Sequence, residues 1–170
     1  MSDMLVGMDP GTVYQGTDLL QGKIPSPGIT GRTSDGKEFV LCLVAAAQNL
    51  INGHLVTIDP TTFTVTVTAA GAQAPGAANI LGVVRATATA SASAYIWVQR
   101  YGVGSVQASA SALPNVYLAT SAGTAGFVDD TLATASGVIE GLVLIATTAA
   151  SGITPCFLSY PRFAEPGAPG

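Results

Sequence analysis

Apolar positions along this chain come in short runs of strand length, separated by Gly, Pro, Thr and Ser. The stretch over residues 79–101, NILGVVRATATASASAYIWVQRY, carries two of them, 80–84 and 95–98, and each predicts a strand because β-branched and aromatic residues fit a pleated, partly buried surface. Residues 38–47, EFVLCLVAAA, are almost unbroken apolar, which predicts a strand covered on both faces or lying between chains, although 45–49 could also turn helically. Residues 63–68, FTVTVT, alternate with period two, one face apolar and the other all Thr, as a half-buried strand does. Asn52-Gly53 is a strong turn signal, followed by a strand that Asp59-Pro60 ends. Further strands are expected over 103–108, 116–120, 138–147 and 155–160, with loops at 71–78 and 123–126 and with Asp129-Asp130 just after the short apolar pair Phe127-Val128.

The central stretch recurs. An offset of 59 lays Ile80 on Ile139, Gly82 on Gly141, Val84 on Val143, Thr89 on Thr148 and Tyr101 on Tyr160, and Asn52 to Thr57 matches Asn115 to Thr120 at an offset of 63. Ala and Thr are common enough to produce some of these matches by chance. Two similar β units plus the strand at Glu38 imply an all-β domain of about ten strands, an antiparallel β-barrel or a β-sandwich.

Residues 1–36 have a different texture. Pro10, Pro25 and Pro27 and seven glycines interrupt single apolar residues with no sustained period, so the segment reads as an extended N-terminal arm rather than a helix or a central strand. An arm that orders on a partner would anchor through Leu19, Leu20, Ile24, Pro25 and Pro27. The β domain then spans 37–163 and is expected to fold without the arm, and 164–170, AEPGAPG with its leading Ala, forms a flexible tail.

Composition changes the picture in one respect. Of 170 residues only 9% are charged, against about 25% in ordinary soluble domains. No apolar run approaches the roughly 20 residues that cross a bilayer, and the N-terminus lacks the pattern of a secretion signal. The expectation is a soluble protein that hides surface against other chains, without membrane. Six cations against ten acids, with no basic stripe, also exclude a nucleic-acid backbone as partner. Cys42 and Cys156 each lie inside an apolar run and read as small buried thiols.

Candidate chemistry is sparse. His54 is the single histidine and has no acidic or cysteine neighbour in sequence; no nucleophile-elbow sequence, paired carboxylates, CxxC or phosphate loop is present, and Asp129-Asp130 lacks further ligands at calcium-loop spacing. No catalytic residue, metal or cofactor is therefore assigned. In AYIWVQRYG, Trp97 reads as core, while Arg85, Arg100 and Tyr101 are interface candidates because Arg and aromatics dominate binding hot spots.

The order of an N-terminal arm, KEFVLCLVAAA, NGHLVTID, ILGVVRATAT, YIWVQRYG and FLSYPR over residues 37–163 resembles the small decoration (cement) proteins on the heads of tailed bacteriophages. The resemblance implies a β-barrel or sandwich on the outer capsid surface of the virion, commonly a homotrimer, made in the host cytoplasm and locking neighbouring major capsid protein subunits together. A tail-fibre or other virion surface β module that binds a receptor or carbohydrate is the alternative. It would present clustered aromatics with Asp or Asn, and an enzyme would need convergent titratable groups.

Overall fold

The structure, a computed structural model, describes residues 9–71, 80–89, 93–131 and 137–164. It is all-β, as the apolar runs predict. The strands are β1 (Tyr14–Gln15), β2 (Thr30–Arg32), β3 (Glu38–Val44), β4 (Leu55–Ile58), β5 (Thr64–Val67), β6 (Ile80–Val84), β7 (Ala94–Ala108), β8 (Leu118–Thr120), β9 (Val128–Asp129), β10 (Val138–Leu144) and β11 (Gly152–Phe163), with one short helix, α1 (Gly16–Leu20). Among the described residues, all eleven strands belong to one sheet, antiparallel except at β3–β5 and β7–β9.

The sheet closes on itself twice. β3, β5, β4, β6 and β7 pair in succession and β7 returns to β3. The same circuit is then repeated by β7, β9, β8, β10 and β11, with β11 returning to β7. Closure of this kind leaves few open strand edges. β7 serves both rings: β3 pairs with it over 95–101 and β11 over 101–108. The two strands expected on either side of Gly102 are therefore a single one of 15 residues. Gly102 and Gly104 do not end it, because each answers a local crowding. Gly102 sits at φ 92° beside Lys37, and a Cβ at Gly104 would lie 2.8 Å from Gln99 Oε1 and 2.9 Å from Leu158 Cδ1.

The repeat read from the sequence is thus present in the connectivity, and the register of β6 on β7 matches that of β10 on β11. Val84 opposes Val98, and their partners at an offset of 59, Val143 and Phe157, oppose each other. The faces do not match. Val84 and Val98 point into the first ring, whereas Val143 and Phe157 are exposed. A shift of one residue exchanges the two faces of a strand, so the offset of 59 and the structural repeat are out of phase by one position.

Three apolar clusters fill the body. The first ring encloses Val40, Cys42, Val56, Ile58, Val65, Val84, Ile96 and Val98; the second encloses Val106, Leu118, Val128, Leu142, Leu144, Cys156 and Leu158. Leu55, Leu81 and Val83 join the second cluster from the other side of β4 and β6. Those two strands separate the cores, which is why ILGVV is apolar at every position that carries a side chain.

The third cluster involves the N-terminal segment. Ile24 is 4% exposed and packs with Phe39, Leu41, Tyr95 and Trp97, and Tyr14 and Leu19 pack against the group. β1 pairs with β7, and β2 pairs with β3. The many Gly and Pro positions predict an extended arm rather than a helix or a central strand; β1 and β2 are short strands at the two ends of the sheet order, and α1 is the one departure. Each is short enough to fit between the breakers, and α1 begins with a capping box in which the Gln15 amide accepts Asp18 N–H while Asp18 Oδ2 accepts Gln15 N–H at 2.9 Å. The loop expected at 71–78 and the tail fall almost wholly outside the described residues.

Candidate docking face

Two β-bulges, one in the β3–β7 pairing and one in the β10–β11 pairing, meet at a cleft. In the first, Glu38 opposes Tyr101 while Phe39 opposes Gln99, which leaves Arg100 as the extra residue of β7. In the second, Glu140 opposes Arg162 and Leu142 opposes Leu158, so Gly141 faces the three residues Ser159, Tyr160 and Pro161. Bulges re-aim side chains that a regular ladder would hold in plane. Tyr160 adopts φ 51° and Gly141 φ 74°. The Tyr160 ring comes to lie 5.4 Å from that of Tyr101, its counterpart in the sequence repeat, and its hydroxyl donates to Glu38 Oε2. That hydrogen bond holds the phenol above its usual pKa.

The Arg100 guanidinium carbon is 5.8 Å from the centroid of the Tyr160 ring, within cation–π range. The other charges nearby are paired: Arg162 Nε donates to Glu140 Oε2 at 2.9 Å, and Arg32 Nε lies 3.4 Å from Glu38 Oε1. Between the bulges is a cleft of about 510 Å³, lined by Ile80, Arg100, Glu140, Gly141, Tyr160 and Arg162 among others.

An apolar band starts at the edge of this cleft. Tyr101 meets Phe157 edge-on at 5.6 Å between ring centroids. Phe157 is opposed by Val103 on one side and Val143 on the other, and all three are exposed, Val103 by 54%. One row further, Ile145 N–H donates to the carbonyl of Pro155 at 3.0 Å, and both side chains are exposed, as is that of Ile153. Six apolar side chains on β7, β11 and β10, and just past the end of β10, thus share one outer face. Contiguous apolar surface of this kind marks interaction sites in soluble proteins.

The interface candidates divide in position. Arg100 and Tyr101 are brought together with this face. Arg85 is half-buried just beyond β6 and is not among the residues that line the cleft. Of the arm residues, Ile24 is core, Leu19 is partly covered against the third cluster, and Pro25 and Pro27 are half-buried. Leu20 is 87% exposed beside a second groove that Gln15, Thr17, Ser93 and Tyr95 help to line. Sequence reasoning missed Val103, Val143, Phe157 and Tyr160. Alternation shows that residues 153, 155 and 157 share a face, but which face is covered depends on strands distant in sequence.

Other candidate groups have structural surroundings. His54 is buried, its ring 6.0 Å from that of Phe127, and its Nδ1 accepts the Ile51 N–H at 3.3 Å. Burial lowers its pKa from 6.5. The folded chain then binds fewer protons at this site than the unfolded chain, so the contribution of neutral His54 is present above pH 6.5 and lost as pH falls through the folded-state value. Urea midpoints measured from pH 7.5 to 5 should fall with acid in the native chain and fall less in His54→Gln; equal slopes would remove His54 from the account. Burial pushes the Cys42 and Cys156 thiols up to about 12, which leaves both protonated and unreactive at neutral pH. Asp129 Oδ1 accepts the Thr131 N–H, and Asp130 Oδ2 accepts the Leu113 N–H at 3.1 Å, as turn carboxylates do. Among the described residues no three His, Cys, Asp or Glu side chains gather as a metal site, and no helix is long and apolar enough to cross a membrane. Comparison of the chain with protein-family models and with curated proteins gave no match.

Proposed function

We propose that this chain is a structural virion protein that binds the outside of an icosahedral phage capsid and cements neighbouring major capsid protein subunits, acting as a homotrimer. The observation that carries this reading is the exposed band of Val103, Val143, Ile145, Ile153, Pro155 and Phe157 on a chain with only 9% charged residues. A free monomer gains nothing from such a face, whereas a permanent neighbour desolvates it. Repetition around a symmetric shell then multiplies modest affinity at each contact.

The expected native mass in solution is that of a trimer, and a monomer that stays dispersed at high concentration would contradict it. The docking role is tested by sedimenting the protein with assembled shells of its major capsid protein. Val103→Asp with Phe157→Asp should weaken retention by at least about tenfold, since each places a charge in a desolvated contact. Unchanged retention by the folded double variant would sink the assignment of this face. A second reading, carbohydrate binding by a tail-fibre module, is favoured by one feature: Tyr101, Phe157 and Tyr160 cluster beside Glu38. Binding to a glycan panel that Tyr160→Ala abolishes would support it over the capsid reading.

A further inference from the structure

We infer that the cleft between the two bulges is a socket for a carboxylate, and that the occupant is an Asp or Glu side chain of a partner protein that docks on the adjoining apolar band. The inference rests on the reading of this face as a docking surface and names the chemistry its partner must carry.

Arg100 is the reason. A bulge turns it out of the ladder and sets it in the wall of the cleft. Its Nε is buried and has no hydrogen-bond acceptor, and no carboxylate lies within ion-pair distance of it among the described residues. The other two cations on this side differ, for Arg162 is neutralised by Glu140 and Arg32 by Glu38. A guanidinium held by an aromatic ring and left without a counter-ion is costly to keep in a partly buried place. Gly82 adds a further sign that the chain accommodates this side chain: a Cβ there would come within 3.2 Å of Arg100 Cδ. An incoming carboxylate would supply the missing acceptor and charge in one group, with the planar match that guanidinium and carboxylate share. The band of Val103, Phe157 and Val143 next to the socket selects an acidic residue flanked by apolar ones.

The test uses the full chain, labelled with ¹⁵N at arginine, and follows the Arg Nε–H resonances. Four probes are added at constant ionic strength: sodium chloride, sodium acetate, and the capped peptides acetyl-Leu-Glu-Leu-amide and its Gln counterpart. The expected result is a saturable shift of the Arg100 signal with the Glu peptide, at least about tenfold weaker with the Gln peptide, and lost in Arg100→Met. Arg162→Met should retain the response in weakened form. Leu20→Ser, at a residue 87% exposed and outside the cleft lining, should leave the Glu-peptide response unchanged, and an Arg100→Met chain with a native urea midpoint rules out misfolding as the cause of its loss. If acetate saturates the signal and the Glu peptide does no better, the site takes a small free carboxylate and the partner-protein assignment is overturned. If chloride shifts Arg100 as acetate does, or if no probe acts, the socket itself is refuted. Because the titration needs no shell, its failure leaves the apolar band to be judged separately by the sedimentation of the Val103 and Phe157 variant.

Discussion

Removal of residues 1–36 is expected to lower the unfolding free energy by on the order of 5 kcal/mol and to shift the emission of Trp97 to the red. Ile24, Leu19 and Tyr14 cover the outer face of β3 and β7, where Phe39, Leu41, Tyr95 and Trp97 otherwise meet water. The burial of one large apolar side chain contributes about 1.5–3 kcal/mol, and the truncation removes one such residue while uncovering several others. It also takes away β2, the partner of β3 over Glu38 to Val40. Set against a typical total of about 5–15 kcal/mol, the loss leaves a marginal domain that exposes a new apolar surface. Chemical denaturation followed by the single Trp reads the effect directly, and Leu20→Ser, at a residue 87% exposed, is the control that should stay within about 0.5 kcal/mol. A truncated chain with an unchanged midpoint would show that the segment serves only partners, as its Gly and Pro content first suggests.

The second large effect is expected at Gly141. Alanine there should cost about 3 kcal/mol or more, because two penalties of about 1–3 kcal/mol each apply: left-handed backbone at φ 74° and a Cβ forced against fixed atoms. The new methyl would lie 2.4 Å from the Ser159 carbonyl oxygen and 3.3 Å from Pro161 Cα, both main-chain atoms that cannot rotate away. Gly82 makes the informative comparison. An added Cβ there meets Val98 Cγ1, a side-chain atom, at 2.4 Å and a main-chain atom, the Gln99 carbonyl oxygen, only at 3.1 Å, and its backbone needs no positive φ. Gly82→Ala should therefore cost less than Gly141→Ala despite deeper burial, and only Gly141→Ala should move the Tyr160 ring away from Tyr101. Equal losses at the two positions would argue that the bulge is not under backbone control.

Much of the architecture was legible from local pattern. Strands at 38–44, 55–58, 64–67 and 80–84 follow from apolar runs bounded by turn signals, and the existence of two related units follows from the recurrence of I-x-G before an apolar pair. Arg100 and Tyr101 were legible too, as an Arg and an aromatic closing a strand in a chain with few cations. The remaining site residues were not. Val143 and Phe157 look like core by type and by analogy with Val84 and Val98, and only a bulged, one-residue difference in phase turns them outward.

From residue types and period alone came the strand class, the approximate number of strands and the poverty of charged residues, because each depends on neighbours within a few residues or on composition. Which face of each strand is covered, the passage of β7 through both rings, the seating of Ile24 over Trp97 and the meeting of Tyr101 with Tyr160 depend on pairings across many tens of residues. Those are settled when the rings close, since closure dictates which side becomes interior, and the positive φ values at Gly141 and Tyr160 that aim the cleft follow from that closure.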